Sequence, residues 1–106
     1  MTDSLKELSR RLDAFAAERD WLRHHAPKNL ASALIVEAAE LLEHFQWISE
    51  EQSRVLSSSK RDEVAAEMAD VLIYLVQLAN VMDVDLVEAA RKKMQVNESR
   101  FPVPER

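Results

Sequence analysis

The chain has 106 residues, which is the size of one domain with a single hydrophobic core. It contains neither glycine nor cysteine, which excludes glycine-rich phosphate loops, disulfides, thiolate nucleophiles and zinc–sulfur sites. Its 19 acidic and 14 basic side chains give a net charge of −5, which argues against binding to polymeric nucleic acid, because such binding depends on clustered cations.

The first predicted helix follows directly from the opening stretch MTDSLKEL. This stretch carries an acid and several polar residues where a secretory signal needs a cationic end and a continuous apolar run. We therefore expect a cytoplasmic protein that is not attached to a membrane. Ser4 and Glu7 have the spacing of a capping box, which predicts a helix that continues to about Arg23.

The second and third predicted helices are separated by the polar stretch SEEQSRVLSSS, the longest candidate loop. Asn29 can cap the second helix, which is expected to end near Ile48. Ser59 with Asp62 predicts the start of the third helix, which is expected to end near Met82.

The fourth predicted helix starts at Asp85, with Glu88 three residues later, and should fray before Pro102. No stretch alternates with the period of a β-strand, and the chain has no internal repeat or domain linker. The sequence therefore predicts an all-α fold, an antiparallel four-helix bundle formed by a single domain over residues 1–106.

Two acidic pairs stand out on the second and third helices. Glu37 and Glu40 are three residues apart, as are Glu67 and Asp70, so each pair lies on one helix face. No lysine or arginine lies three or four residues from any of the four acids. Because an unpaired buried charge is costly, these acids must protonate, bind a cation or face solvent.

The composition of the third helix favours the cation. The helix is apolar almost all round from Val64 to Val81, and its few polar residues fall within one narrow face. A solvated outer face is the plain alternative, but such a face normally mixes acids with lysines. Oxygen ligands alone suit Mg²⁺, with Mn²⁺ as a substitute, and suit Zn²⁺ poorly. A di-iron site is disfavoured because it uses Glu-x-x-His, whereas Glu40 and His44 are four residues apart.

The acidic stretches EAAELLEHFQW and EMADVLIYL resemble the E-x-x-E and E-x-x-D motifs of the all-α nucleoside triphosphate pyrophosphohydrolases, the MazG-like superfamily. Three further stretches resemble its dCTP pyrophosphatase branch: FAAERDW at 15–21, an H-x-P-x-N-L run at 25–30, and a K-M, N and R-F-P tail at 93–102. The similarity spans about residues 13 to 102, and the acidic signature together with three further motifs in the same order is far more specific than E-x-x-E alone.

The resemblance implies hydrolysis of a deoxynucleoside triphosphate, dCTP or a modified dCTP, to the monophosphate and pyrophosphate with Mg²⁺. It also implies a MazG-like bundle completed by oligomerisation into a homotetramer, with active sites where subunits meet. An apolar third helix agrees, because it needs a partner surface to cover it. Which acid serves as general base stays open. The residues implied as catalytic groups and metal ligands are Glu37, Glu40, Glu67 and Asp70.

Cationic and amide side chains near the end of the chain are candidates for binding the phosphates. Lys93, Asn97 and Arg100 follow the spacing i, i+4 and i+7, so they share one face of the last helix. Lys28 is a further candidate. The alternative for the group on the last helix is an ordinary solvated terminal face.

Aromatic side chains are candidates for the base and sugar. The resemblance makes Trp21 and Trp47 walls of a base pocket, although tryptophans in general are more often core anchors. Tyr74 lies one turn beyond Asp70, which places it near the deoxyribose. His25 can hydrogen-bond the base or a phosphate, although a single histidine is more often structural.

Two other functions remain open from the sequence. The chain can be a MazG-like hydrolase of another nucleotide pyrophosphate, which product analysis over a nucleotide panel would reveal. It can also be a helical interaction module whose acids pair with a basic partner, and such a module should gain no thermal stability from millimolar Mg²⁺.

Overall fold

The computed structural model describes residues 4–104, and over this range the chain is helical with no β-strand. The predicted all-α class is therefore confirmed. In chain order the elements are α1 (Ser4–Glu18), a 3-10 turn (Leu22–His24), α2 (Pro27–Glu43), α3 (Glu50–Ser53), α4 (Ser58–Val81) and α5 (Leu86–Arg100).

The start of α2 differs from the predicted cap at Asn29. Pro27 occupies the first turn of the helix, where its fixed φ fits and its missing N–H costs nothing, and Ala26 is the N-cap residue. The Asn29 side chain instead donates a hydrogen bond to the carbonyl of His24 at 3.2 Å. Asn29 thus ties the 3-10 turn to α2.

The predicted loop between the second and third helices contains the short helix α3. Ser49 and Gln52 form a reciprocal capping box, in which Ser49 N donates to Gln52 Oε1 at 2.9 Å and Gln52 N donates to Ser49 Oγ at 3.1 Å. The N-cap residue of α4 is Ser57, two residues before the predicted cap at Ser59, and its hydroxyl accepts from Lys60 N at 3.2 Å.

Two aspartates adopt the left-handed backbone conformation that glycine often adopts at the end of a helix. Asp20 follows α1 and Asp83 follows α4, and both have φ of 55°. Asparagine and aspartate tolerate this region best among the residues with a Cβ. The predicted start of the last helix is confirmed, since the Asp85 carboxylate accepts from Glu88 N at 3.0 Å.

Helix packing is uneven. Helix α2 lies along α4 over most of its length, α1 contacts α4 less extensively, and α5 has only sparse contacts within the described chain. The buried apolar side chains are few and mostly small: Ala16, Leu30, Val64, Val76 and Ala79. The helices of one protomer therefore do not close around a large common core.

The protomer is extended for its size. Its radius of gyration is 17.1 Å, against about 13 Å for a compact domain of this length. Its accessible surface is 8680 Å², against roughly 6,100 Å² for a folded monomer of this mass. Completion of the bundle by further copies remains a prediction, and this surplus surface is what such copies would cover.

Among the described residues, α4 is long and apolar enough to cross a membrane by length and composition. The central helix of a water-soluble protein passes the same test. Helix α4 carries Glu67 and Asp70 and packs against α1 and α2, so its composition does not indicate a membrane protein. Only 22% of its apolar stretch is buried within the protomer, which leaves much of the helix open to a partner.

Candidate functional site

The packing of α2 on α4 brings the two acidic pairs together. Oxygens of Glu37 on α2 and of Glu67 and Asp70 on α4 all lie within 4.8 Å of one another. Glu37 and Glu67 are half-buried, whereas Asp70 is exposed. We call these three residues the acidic cluster. The i,i+3 spacing on each helix predicted the two faces, and the helix pairing makes them one site.

Glu40 lies at the edge of the acidic cluster, although it is not one of the three residues with mutually close oxygens. Burial raises the pKa of Glu37 above its usual value, and the neighbouring carboxylates of Glu40, Asp70 and Glu67 raise it further. Burial likewise raises the pKa of Glu67, with Glu40 and Asp70 adding to the effect. All four predicted carboxylates therefore influence one another.

Two oxygens of these carboxylates lack a hydrogen-bond partner. They are Oε2 of Glu37 and Oε2 of Glu67, and both are buried. Within residues 4–104, no lysine or arginine forms an ion pair with any of the four carboxylates. Buried, unpartnered oxygens without a neighbouring cation form a donor set that fits a divalent metal ion such as Mg²⁺.

A histidine that the sequence did not single out as functional also faces the acidic cluster. His44 directly follows α2, and its Nε2 lies 3.9 Å from Oε1 of Glu67. Its Nδ1 lies 4.0 Å from Oε2 of Glu63, one turn before Glu67 on α4. His44 weakly opposes the rise in the pKa of Glu67. The sequence carried no local signal for this contact, which arises because antiparallel packing brings the end of α2 beside α4.

Residues predicted to bind the nucleotide lie at both ends of the α2–α4 pair. Trp21 is 45% exposed and meets the ring of Phe15 edge-on, with centroids 5.5 Å apart. His25 is half-buried and lines a small cleft with Gln77 of α4. These residues lie near the end of α4 that is remote from His44.

At the opposite end, Trp47 stands in the turns after α2 and is 86% exposed. This exposure excludes the core-anchor interpretation of Trp47 within the protomer. Tyr74 is half-buried on α4, one turn beyond Asp70. The side chain of Trp47 is thus free to meet a ligand or a second copy of the chain.

The predicted phosphate-binding residues are the ones least connected to the acidic cluster. Lys28 is exposed in the first turn of α2. Lys93 and Arg100 are exposed and Asn97 is half-buried, all on α5, which has only sparse contacts with the other described helices. A single protomer therefore does not pack the α5 residues against the helices that carry the acids.

Comparison with known proteins places these residues in a wider group. The family model described as the MazG-like family matches residues 33–106, a range that includes all four carboxylates. The dCTP pyrophosphatase 1 of Bos taurus is 44% identical over 102 residues, which are 94% of this chain and 60% of that protein. The dCTP pyrophosphatase 1 of Homo sapiens is 44% identical over 101 residues, which are 93% of this chain and 59% of that protein. The chain thus spans about 60% of the length of these curated relatives.

The fold also has a solved counterpart. The crystal structure of a pyrophosphatase from Archaeoglobus fulgidus superposes with a TM-score of 0.90 at 40% sequence identity. The match covers 97% of this chain and 96% of that chain. At this coverage, the described helices are arranged as in that solved structure.

Proposed function

The chain belongs to the MazG-like family, and we propose that it is a metal-dependent pyrophosphatase that hydrolyses a deoxynucleoside triphosphate to the monophosphate and pyrophosphate. The observation that carries this proposal is the buried, unpartnered Oε2 atoms of Glu37 and Glu67, two glutamates whose carboxylates lie within 4.8 Å of each other and of Asp70. Relatives named dCTP pyrophosphatase 1 support dCTP, or a modified dCTP, as the substrate.

The acids have distinct parts in this proposal. Glu37, Glu67 and Asp70 would hold Mg²⁺, or Mn²⁺ in its place, with Glu40 at the edge of the site. When bound, the ion supplies charge neutralisation for the phosphates and lowers the pKa of a water molecule. Glu40 is our choice for the group that accepts a proton from the attacking water, because it borders the three oxygens without being one of them.

The base and sugar are assigned to the aromatic residues. Trp47 offers a free ring that can stack on a base, and Trp21 offers a second ring that is partly covered by Phe15. Tyr74, one turn from Asp70, would pack beside the deoxyribose, and His25 would hydrogen-bond the base or a phosphate. An aromatic face beside the sugar would crowd a 2′-hydroxyl, which favours deoxynucleotides.

The phosphates carry more negative charge than the ion neutralises, so the site also needs cations. Lys28 on α2 and the α5 residues Lys93, Asn97 and Arg100 are our assignment. Because α5 has only sparse contacts within its own protomer, these residues would serve a site that is completed by a neighbouring copy.

We assign the protein to a homo-oligomer, a tetramer in the simplest case, from its unburied apolar surface. Ile35 and Leu42 are 68% and 60% exposed on α2, at a spacing that places them on one stripe. Met68 and Leu72 form a similar exposed pair on α4. The protomer exposes roughly 2,600 Å² more than a monomer of its mass should, which is the scale of an obligate interface.

The test of the function is product analysis with Mg²⁺ over a panel of nucleoside triphosphates, in water labelled with ¹⁸O. We expect pyrophosphate together with a labelled monophosphate, because water attacks the α phosphorus. Release of orthophosphate with a nucleoside diphosphate would contradict the proposal. Hydrolysis of only a different nucleotide pyrophosphate would keep the reaction and replace the substrate.

The assignment of the acids is tested by Glu37→Gln and Asp70→Asn. Each should lower kcat/KM by roughly 100-fold or more, the usual scale for losing one charge-stabilising group, while the fold stays intact. The matched control is Glu43→Gln, which removes an exposed acid at the end of α2 outside the acidic cluster. Near-normal turnover in Glu37→Gln or Asp70→Asn would refute the metal assignment.

A further inference from the structure

His44 occupies a position between the acidic cluster and the protein surface. Its side chain is only 16% exposed, with Nε2 directed at Oε1 of Glu67 at 3.9 Å and Nδ1 at Oε2 of Glu63 at 4.0 Å. Lys60 Nζ lies 3.5 Å from the same oxygen of Glu63. A row of four side chains therefore leads from the start of α4 to the acidic cluster, in the order Lys60, Glu63, His44 and Glu67.

The two carboxylate oxygens of Glu67 have different surroundings. Oε1 faces the imidazole of His44, whereas Oε2 is buried and has no hydrogen-bond partner. The terminal torsion of a glutamate is broad, so a carboxylate held by nothing would present either oxygen to the acidic cluster. The oxygen of Glu67 that faces His44 is thus distinct from the oxygen that has no partner.

The distance between His44 and Glu67 also matters. At 3.9 Å the two groups are beyond hydrogen-bond range, so their interaction in this structure is electrostatic. A shift on the order of 1 Å brings Nε2 within hydrogen-bond distance of Oε1. Contacts of this kind are often long in a ligand-free site and tighten when the site is filled.

We propose that His44 is a positioning residue, which holds Oε1 of Glu67 so that Oε2 is presented as a ligand to the divalent ion. The inference rests on the proposed metal site. Groups that orient a ligand carboxylate typically change metal affinity by about 10- to 100-fold when they are removed. Glu63, with Lys60 beside it, lies on the other side of the imidazole.

The experiment titrates Mn²⁺ into the nucleotide-free protein and follows free Mn²⁺ by electron paramagnetic resonance. The variants are His44→Leu, His44→Asn and His44→Gln. A glutamine amide nitrogen reaches about the position of Nε2, opposite Glu67, whereas an asparagine amide nitrogen reaches about that of Nδ1, opposite Glu63. His24→Leu is the matched control, because His24 is an exposed histidine outside the site.

We expect the Kd for Mn²⁺ to rise about 10- to 100-fold in His44→Leu and His44→Asn, while His44→Gln and His24→Leu retain most of the wild-type affinity. Raising the metal concentration should restore kcat in His44→Leu with little change in the KM for nucleotide. The thermal midpoint without metal should not fall in parallel with the affinity. If His44→Leu does not fold, the comparison of His44→Asn with His44→Gln decides.

Two results would overturn the inference while leaving the metal site standing. One is wild-type Mn²⁺ affinity in His44→Asn, and the other is an equal loss in His44→Gln and His44→Asn. Glu67→Gln is measured in parallel and should lose binding in either case. If the wild-type protein itself binds no Mn²⁺, the proposed function fails, and the assignment of His44 fails with it.

Discussion

At the scale of single residues, the acids of the site affect the stability of the fold as well as its chemistry. The pKa of Glu37 is raised above its usual value of 4.5, first by burial and then by Glu40 and the other acids. A carboxyl whose pKa is higher in the folded state binds its proton more tightly when folded. The contribution of protonated Glu37 to the stability of the fold is therefore present below a pH of about 4.5 and is lost as the pH rises through the folded-state pKa.

The first residue-scale prediction concerns Glu37→Gln in the absence of metal. Near pH 4 the variant should match the wild-type protein, because Glu37 is then mostly protonated. As the pH rises above about 4.5, the variant should become the more stable of the two, because it lacks the charge that the fold disfavours. Thermal midpoints in chelator between about pH 4 and 8 test this, with Glu43→Gln as control. A less stable Glu37→Gln at neutral pH would contradict the argument.

The second residue-scale prediction concerns Trp47. Its 86% exposed side chain contributes little to packing in the protomer, so Trp47→Ala should leave the thermal midpoint nearly unchanged. If the ring stacks on the base, affinity should fall by about 1 to 3 kcal/mol, and all accepted nucleotides should weaken to a similar degree. Both quantities are measured on one preparation, with Val55→Ala as an exposed control in the loop after α3. A destabilised variant with unaltered KM would remove Trp47 from the site.

At the scale of elements, one polar side chain joins α1 to α4. Asn80 donates through Nδ2 to the carbonyl of Ser9 at 3.1 Å, and the Ser9 hydroxyl donates to Oδ1 of Asn80. The groups are partly buried, and α1 has a limited contact with α4 to begin with. This two-bond contact therefore helps to fix α1 against α4.

The element-scale prediction is that Asn80→Ala destabilises the protein by about 1 to 3 kcal/mol, because it removes both bonds to Ser9 and leaves the partly buried Ser9 hydroxyl without its acceptor. Ser9→Ala removes only the hydroxyl bond and should cost about 0.5 to 1.5 kcal/mol. Denaturant unfolding at a fixed protein concentration measures both. Equal stability of Asn80→Ala and the wild-type protein would show that the contact does not hold α1.

Local signals in the sequence predicted helices better than they predicted helix ends. Asp85 caps α5 as expected, because its carboxylate needs only the N–H of Glu88. Asn29 does not cap α2, because the helix begins at Pro27 and the Asn29 amide donates a hydrogen bond to the carbonyl of His24. Capping of this kind depends on which competing partner is nearer in space, which composition does not reveal.

The candidate site likewise combines features that local sequence patterns predict with features that they do not. The i,i+3 spacing was enough to pair Glu67 with Asp70, because both are on one helix. The other features of the site depend on the register between α2 and α4. This register brings Glu37 to the pair, places Glu40 at the edge and turns His44 towards Glu67. This register is set by packing between residues far apart in the chain, and no local pattern fixes it.

At the scale of the whole molecule, the protomer is open. Its radius of gyration and accessible surface both exceed those of a compact domain of this length. Large apolar side chains on α2 and α4, such as Ile35, Leu42 and Met68, contribute to this exposed surface. Exposed apolar patches on this scale mark interaction surfaces in soluble proteins.

The whole-molecule prediction is that Met68→Lys and Ile35→Lys weaken the oligomer. A lysine in a buried helix–helix interface must lose its hydration without a partner, so light scattering should show smaller species than in the wild-type protein. Activity should fall together with oligomer mass if neighbouring copies complete the sites. Val103→Lys, at an 87% exposed position outside the helices, is the control. Unchanged mass in both variants would show that these stripes are not the interface.

The sparse packing of α5 has a consequence for the order of the chain itself. A helix of 15 residues is marginal in water when nothing supports it, because nucleation is costly and propagation gains little per residue. With few contacts from its own protomer, α5 would open locally at almost no free-energy cost, and its amides would exchange rapidly with solvent. Persistent helicity in this segment would then report that subunits have associated, and a dilute protomer would carry Lys93, Asn97 and Arg100 on a fluctuating tail.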